Sequence, residues 1–298
     1  MLFNISNAAA DILNDELFVQ KKVSVTVLRL DKIHPVVSGN KLFKLHYFLQ
    51  QAGQAVHKSI LTFGGAYSNH LVATAYACQA AGLKSIGIVR GEKPALPSPT
   101  LQQCINYGMQ LQFIAREAYD KKDNPDFITA LKNEYGDSTI IPEGGYNNTG
   151  AQGAALIWRL IPKNKYTHIC TATGTATTLA GLLLNAGNEK IISIPVLKGM
   201  TDIEERIAVC GAANKDQLQI FDGYHFGGYA KYNQALLDFM NELFTNHHLP
   251  TDFVYTGKMM YAVIDKIKQD FFNNHSTIIC LHTGGLQGNG SFAAGTLV

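Results

Sequence analysis

The 298-residue chain lacks most of the features that assign a protein to a class on sight. No run of like charges occurs, and 25 Lys and Arg against 23 Asp and Glu leave a net charge of +2. No long-range field therefore points to nucleic acid or to an anionic membrane as a partner. Long apolar runs are missing too. Segments such as LAGLLL at 179–184 fall far short of the ~20 residues that span a bilayer. The N-terminal MLFNISNAAADILNDELF has neither a basic start nor a continuous apolar stretch, so no signal peptide is expected. The five cysteines (78, 104, 170, 210 and 280) show no C-x-x-C or zinc-like spacing, which predicts reduced core thiols in a cytoplasmic protein. Among ten histidines there is no H-E-x-x-H, and the adjacent His247 and His248 would diverge on a helix, so no metal site is expected. Internal repeats and low-complexity linkers are likewise absent, and PALPSPT at 94–100 reads as a surface connection.

What is present is a globular composition, 46% hydrophobic and 16% charged, with a regular alternation of patterns. Short apolar runs such as VSVTVLRL (23–30), SILTF (59–63), KSIGIVRG (84–91), YTHICTATG (166–174), KIISIPVL (190–197) and STIICLH (276–282) predict strands. Helical segments separate them, among them NKLFKLHYFLQQA (40–52), HLVATAYACQAAG (70–82), TTLAGLLLNA (177–186) and KMMYAVIDKIKQDFF (258–272). Such runs imply parallel strands buried on both faces, hence an α/β fold. Glycine pairs at 64–65, 144–145 and 284–285 each follow a predicted strand, and ligands of open α/β sheets collect at the carboxyl ends of strands.

Four kinds of segment could carry chemistry. The turn Thr173-Gly174-Thr175-Ala176-Thr177-Thr178 leaves a strand and opens a helix, a natural cup for a phosphate. It is neither a Walker loop nor a G-x-G-x-x-G turn, and a tight connection of small residues would read the same way. Gly64-Gly65-Ala66-Tyr67-Ser68-Asn69-His70 puts polar residues at a helix start. Ser68 there could be no more than an N-cap, and the flanks do not make a nucleophile elbow. The stretches YHFGGY (224–229) and DFVYTGK (252–258) carry tyrosines, which are commonly core residues with a satisfied hydroxyl.

The fourth segment is VVSGNKLFKL at 36–45. Asn40 is expected to cap the helix beginning at Lys41, while Leu42, Leu45 and Leu49 form its apolar stripe. Lys41 and Lys44 are i,i+3 neighbours and repel unless an anion lies between them. A lysine depressed by burial or by a cationic neighbour becomes nucleophilic and forms Schiff bases. One lysine for an aldehyde and one for a phosphate fit pyridoxal 5'-phosphate.

SGNKLFKL, FGGAYSNH, IPEGGYN, TATGTATTLAG, YHFGGY and DFVYTGK occur in one order and spacing. In that set the chain, from about residue 23 to about 290, resembles the D-cysteine desulfhydrase and 1-aminocyclopropane-1-carboxylate (ACC) deaminase family of pyridoxal-phosphate enzymes. The resemblance implies the tryptophan-synthase-β-like fold: α/β, with two open twisted, mostly parallel sheets flanked by helices. It implies a large cofactor domain of residues 1–43 plus 146–298, a small domain of 44–145, and a homodimer. By the same resemblance Lys41 matches the Schiff-base lysine, Lys44 a phosphate contact and Asn69 a hydrogen-bond partner of the cofactor's phenolic oxygen. Ser68 matches a serine beside the substrate, Tyr229 and Tyr255 the two active-site tyrosines, and residues 173–178 the phosphate cup. Thr256 falls where ACC deaminases carry an acidic residue facing the pyridine nitrogen. A neutral hydroxyl there suits β-elimination from D-cysteine better than ring opening of ACC, which lacks an α-hydrogen. ACC deamination, a non-catalytic cofactor-binding protein and a phosphate-binding protein without aldehyde chemistry remain the alternatives.

Overall fold

The computed structural model describes residues 4–212 and 215–297. Ten strands form two sheets among the described residues. The strands are β1 (Ala9–Leu13), β2 (Ser24–Arg29), β3 (Ser59–Gly64), β4 (Lys84–Arg90), β5 (Gln110–Ile114), β6 (Thr139–Ile141), β7 (His168–Thr173), β8 (Lys190–Pro195), β9 (Leu218–Ile220) and β10 (Thr277–His282). One sheet has the order β1-β2-β10-β7-β8-β9 and the other β5-β4-β3-β6. Every pair is parallel except β1 with β2. This is the expected pair of open, mostly parallel sheets.

The burial of each strand follows from its place. β3 is buried throughout, and β7 and β10 are buried at all but the first residue, because helices cover both faces. The edge strands β1, β5 and β9 stay partly exposed. β1, with the sequence AADIL, lacks the apolar run of the central strands and was not anticipated.

The helices are α1 (Glu16–Gln20), α2 (Asn40–Gln54), α3 (Asn69–Ala80), α4 (Pro99–Asn106), α5 (Arg116–Tyr119), α6 (Pro125–Tyr135), α7 (Asn148–Ala155), α8 (Thr177–Leu184), α9 (Ile203–Val209), α10 (Gln234–His247) and α11 (Thr256–Lys268). Helix α2 is the joint between the sheets. Its Phe43, Leu45 and Phe48 share one apolar cluster with Ile60 and Ile141 of the smaller sheet and Ile169 and Ile279 of the larger. The start of α2 is stitched to the end of β10: Gly39, at φ 68°, lies against the Thr283 carbonyl, and the Asn40 N–H donates to that carbonyl at 3.3 Å.

Small residues then let α2, α7 and α8 approach backbone to backbone. A Cβ on Gly153 would collide with the Phe43 carbonyl of α2, and one on Gly181 would stand 2.6 Å from the Ala151 carbonyl. Interhelical spacing here is set by the absence of side chains, which fixes the height of α2 relative to the first turn of α8. Gly153→Ala should therefore destabilise the fold by about 1–3 kcal/mol, the usual cost of overpacking. The check is the midpoint of urea unfolding, and an unchanged midpoint would show that α2 and α7 are not so tightly matched.

Candidate active site

The carboxyl ends of β2, β10 and β7 lead into α2, the 283–285 turn and α8, so three chain segments converge above the middle of the larger sheet. The carboxyl end of β3 brings a fourth, Gly64–Ser68, from the other sheet. Ligands of open α/β sheets bind in such crevices.

Lys41 and Lys44 occupy the first turns of α2. Lys44 is 5% exposed, and among the described residues neither lysine forms an ion pair. Burial, and after it the Lys41 ammonium, push Lys44 from its ordinary 10.5 down to about 7. Burial also lowers Lys41, to about 8, with the Asp252 carboxylate opposing that fall. Lys41 Nζ donates to Asn40 Oδ1 at 2.8 Å and lies 5.9 Å from the centre of the Tyr255 ring.

Asn40 does not cap α2. The helix already includes it, its N-cap is Gly39, and no side chain caps that end. Its amide instead donates to Thr178 Oγ1 at 2.8 Å, across 138 residues of sequence. Asn40 therefore ties Lys41 to the cup rather than closing a helix.

The cup itself is an uncapped helix start. Side chains of Asp15, Ser68, Ser98, Asn124, Asn147 and Asn233 accept N–H groups at the starts of their helices. At α8 the N-cap is Ala176, left-handed at φ 63°, with no side-chain cap. The first N–H groups of a helix have no intrahelical partner, so here they remain available to an anion. The side chains fix the turn without filling that role. Thr173 accepts from Ser193 Oγ at 2.8 Å, and Thr175 and Thr177 hydroxyls are 2.9 Å apart. A Cβ on Gly174 would stand 3.3 Å from the Tyr255 ring, so the cup and that tyrosine are adjacent.

Ser68 caps α3, accepting the Leu71 N–H at 3.3 Å, and Asn69 is the first residue of that helix. No hydrogen bond joins either to the lysines among the described residues. His70 behind them was not singled out by sequence. Thr62 donates to the Ile141 carbonyl, so its oxygen accepts from His70 Nε2–H at 2.9 Å. That leaves Nδ1 as a buried acceptor without a partner. Burial, then Lys44 and Lys41, push this histidine to about 3, which keeps it neutral.

At the far side Tyr255 stands edge-on to Tyr229, with ring centres 6.2 Å apart. Tyr255 is raised well above its ordinary value by burial and by Tyr229, while Tyr229 is 56% exposed. Thr256 is fully buried, and its hydroxyl is already engaged. It donates to Asp252 Oδ2 at 2.6 Å and accepts from the Asp252 N–H at 2.8 Å. Asp252 also accepts the N–H groups of Val254, Tyr255 and Thr256. Sequence reading missed this carboxylate, although it opens the DFVYTGK stretch.

A buried Lys44 and a partly buried Lys41, neither in an ion pair among the described residues, beside an uncapped helix start make a site that would suit a phosphorylated group, with a depressed lysine amine available to an aldehyde. A family model described as pyridoxal-phosphate dependent enzyme matches residues 16–284. The chain belongs to this family. Its cofactor is pyridoxal phosphate, and the donor set just described fits it. A Pyrococcus horikoshii protein provisionally named 1-aminocyclopropane-1-carboxylate deaminase is 27% identical over 274 residues, covering 85% of this chain and 81% of that protein. The bifunctional D-cysteine desulfhydrase/ACC deaminase of Arabidopsis thaliana is 28% identical over 289 residues, 85% of this chain and 70% of its own. A solved structure of an ACC deaminase homologue superposes with a TM-score of 0.80 at 23% identity, covering 97% of this chain and 92% of that one. The last shows the fold, which agrees with the architecture read from the sequence. No helix among the described residues is long and apolar enough to cross a membrane.

The depressed lysines have a consequence for the cofactor-free protein. Lys44 holds its proton to about 7 when folded but to its ordinary 10.5 when unfolded, so between these values the unfolded chain binds more protons. Stability should therefore rise with pH through that window. Urea unfolding at about pH 7 and pH 8.5 should show this rise, with a smaller gain in Lys44→Met. An equal gain in the variant would mean that Lys44 is not an unpaired buried cation.

Proposed function

We propose that this chain is a pyridoxal-phosphate-dependent deaminating lyase acting on a small amino acid, and specifically a D-cysteine desulfhydrase. D-Cysteine and water would give pyruvate, ammonia and sulfide. The observation that carries the choice is Thr256: the buried start of α11 presents a hydroxyl, not a carboxyl group, where the cofactor's ring nitrogen would be met.

Bound in this site, the cofactor supplies an aldehyde for an amine and an electron sink for charge developing at Cα. Lys44, the α8 N–H groups and the threonines of 173–178 would hold its phosphate, and Asn69 its phenolic oxygen. Lys41 would carry the aldehyde and, once released, move the Cα proton. An amine at about 8 is partly unprotonated near neutral pH, as a general base requires. Tyr255, raised well above its ordinary value, keeps its proton and can donate a hydrogen bond to a departing thiolate. Ser68 and Tyr229 line the approach and bind the substrate, with Ser68 suited to its carboxylate.

ACC deamination is the second reading, and one observation favours it. The Asp252 carboxylate lies 2.6 Å behind the Thr256 hydroxyl and takes its proton. Thr256 then offers an acceptor rather than a donor, which favours a protonated ring nitrogen and a stronger sink. The Arabidopsis relative, named for both activities, supports keeping the two together.

Cofactor-loaded protein offered D-cysteine, L-cysteine, D-serine and ACC in parallel, with keto acid and sulfide measured, separates these readings. D-Cysteine should be turned over fastest, with stoichiometric sulfide. Turnover of ACC alone would replace the first reading with the second. Retained cofactor with no keto acid from any of the four would remove the enzymatic reading altogether.

A further inference from the structure

Lys258 is a cation in an unfavourable place. Its side chain is 0% exposed, and it sits in the first turn of α11, where the helix dipole repels positive charge. A buried ammonium persists only with strong compensation. Here Nζ donates at 2.8 Å to the His225 carbonyl and at 2.8 Å to the Gly228 carbonyl, and the Asp252 carboxylate opposes the fall in its pKa that burial causes.

Those two carbonyls are the opening acceptors of successive tight turns, since Gly228 N–H returns to His225 O and Lys231 N–H to Gly228 O. The backbone of these turns is unusual, with Phe226, Gly227, Gly228 and Ala230 all at positive φ. Tyr229 lies inside the second turn. The segment is also anchored along the same helix: Tyr224 donates to Asp265 at 2.6 Å, and the Phe226 ring lies 5.0 Å from that of Tyr261. From Asp265 to Tyr261 to Lys258 the attachments descend α11 towards Tyr255. Lys258 is the last of them before Tyr229, and the next hold is Tyr232 against Phe253, 5.5 Å between ring centres.

We infer that Lys258 is a positioning residue: its buried ammonium pins the strap of residues 225–231 so that Tyr229 stands against Tyr255, and it thereby sets substrate affinity. The inference rests on the reading that these two tyrosines face the substrate. Without the pin, a half-exposed turn of strained backbone keeps its own turn hydrogen bonds and the Tyr229–Tyr255 contact but loses its buried cation, and Tyr229 loosens from its place over Tyr255. The phosphate cup is formed by other segments and should be untouched.

Amide hydrogen exchange, cofactor uptake and steady-state kinetics on Lys258→Met and Lys258→Gln test this in the cofactor-loaded protein. In Lys258→Met, exchange in 225–231 should accelerate at least about tenfold while the start of α8 stays as in wild type and cofactor uptake is unchanged. For whichever of the four amino acids the wild type turns over, kcat/KM should fall about ten- to a hundredfold, the scale of a misplaced positioning group, with most of the loss in KM. Lys258→Gln, which keeps an amide donor for one carbonyl, should lie between the two. It decides alone if Lys258→Met does not fold. Wild-type exchange in 225–231 would overturn the pin. A loosened strap with unchanged KM would overturn its role in affinity. If no amino acid is turned over, the proposed reaction fails, and the pin is judged on exchange alone.

Discussion

Positive charge without a protein counter-ion is the constraint around which the site is arranged. Lys41 and Lys44 lie one turn apart on α2, the first partly buried and the second buried, with no ion pair to either among the described residues, and the bare N–H groups of α8 add to the same potential. Burying such charge is costly, and the chain meets the cost by depressing both amines towards neutrality. An anion brought between them removes that conflict. The close packing of α2, α7 and α8 fixes the two lysines relative to the start of α8, and Asn40 adds a single side chain reaching from Lys41 to Thr178.

The two lysines are nonetheless different. Lys44 faces the Lys41 ammonium, opposed by the raised thiol of Cys210, and falls to about 7. Lys41 is held nearer its ordinary value, at about 8, by Asp252 on the opposite side. The same carboxylate orders the start of α11 through three N–H groups and the Thr256 hydroxyl, and it also faces Lys258. One buried Asp thus grades the site from a strongly positive end, suited to a phosphate, to a polar end of tyrosines and a hydroxyl, suited to the reacting carbons of a small amino acid.

Local patterns made much of this legible before any coordinates. The buried parallel strands announced themselves as apolar runs, Ser68 as a cap, and the lysine pair as a strain wanting an anion. Contacts between distant segments were not legible. Asn40 read as a cap because its partner lies 138 residues away, and local pattern alone cannot distinguish the two uses of an amide. Asp252 and Lys258 looked like the flanks of a tyrosine motif, since their partners are set by how a helix folds back on its own first turn and on a strap 30 residues upstream. His70 needed the Thr62 bond to define which nitrogen is left free. β1 escaped because an edge strand need not be apolar.

The central claim, that Lys41 rather than any other buried amine carries the cofactor, is tested most directly by borohydride reduction of the cofactor-loaded protein followed by peptide mapping. The expected result is one pyridoxyl group per chain, on the peptide containing Lys41. Label on Lys44 or Lys258, or protein that takes up no cofactor, would contradict it.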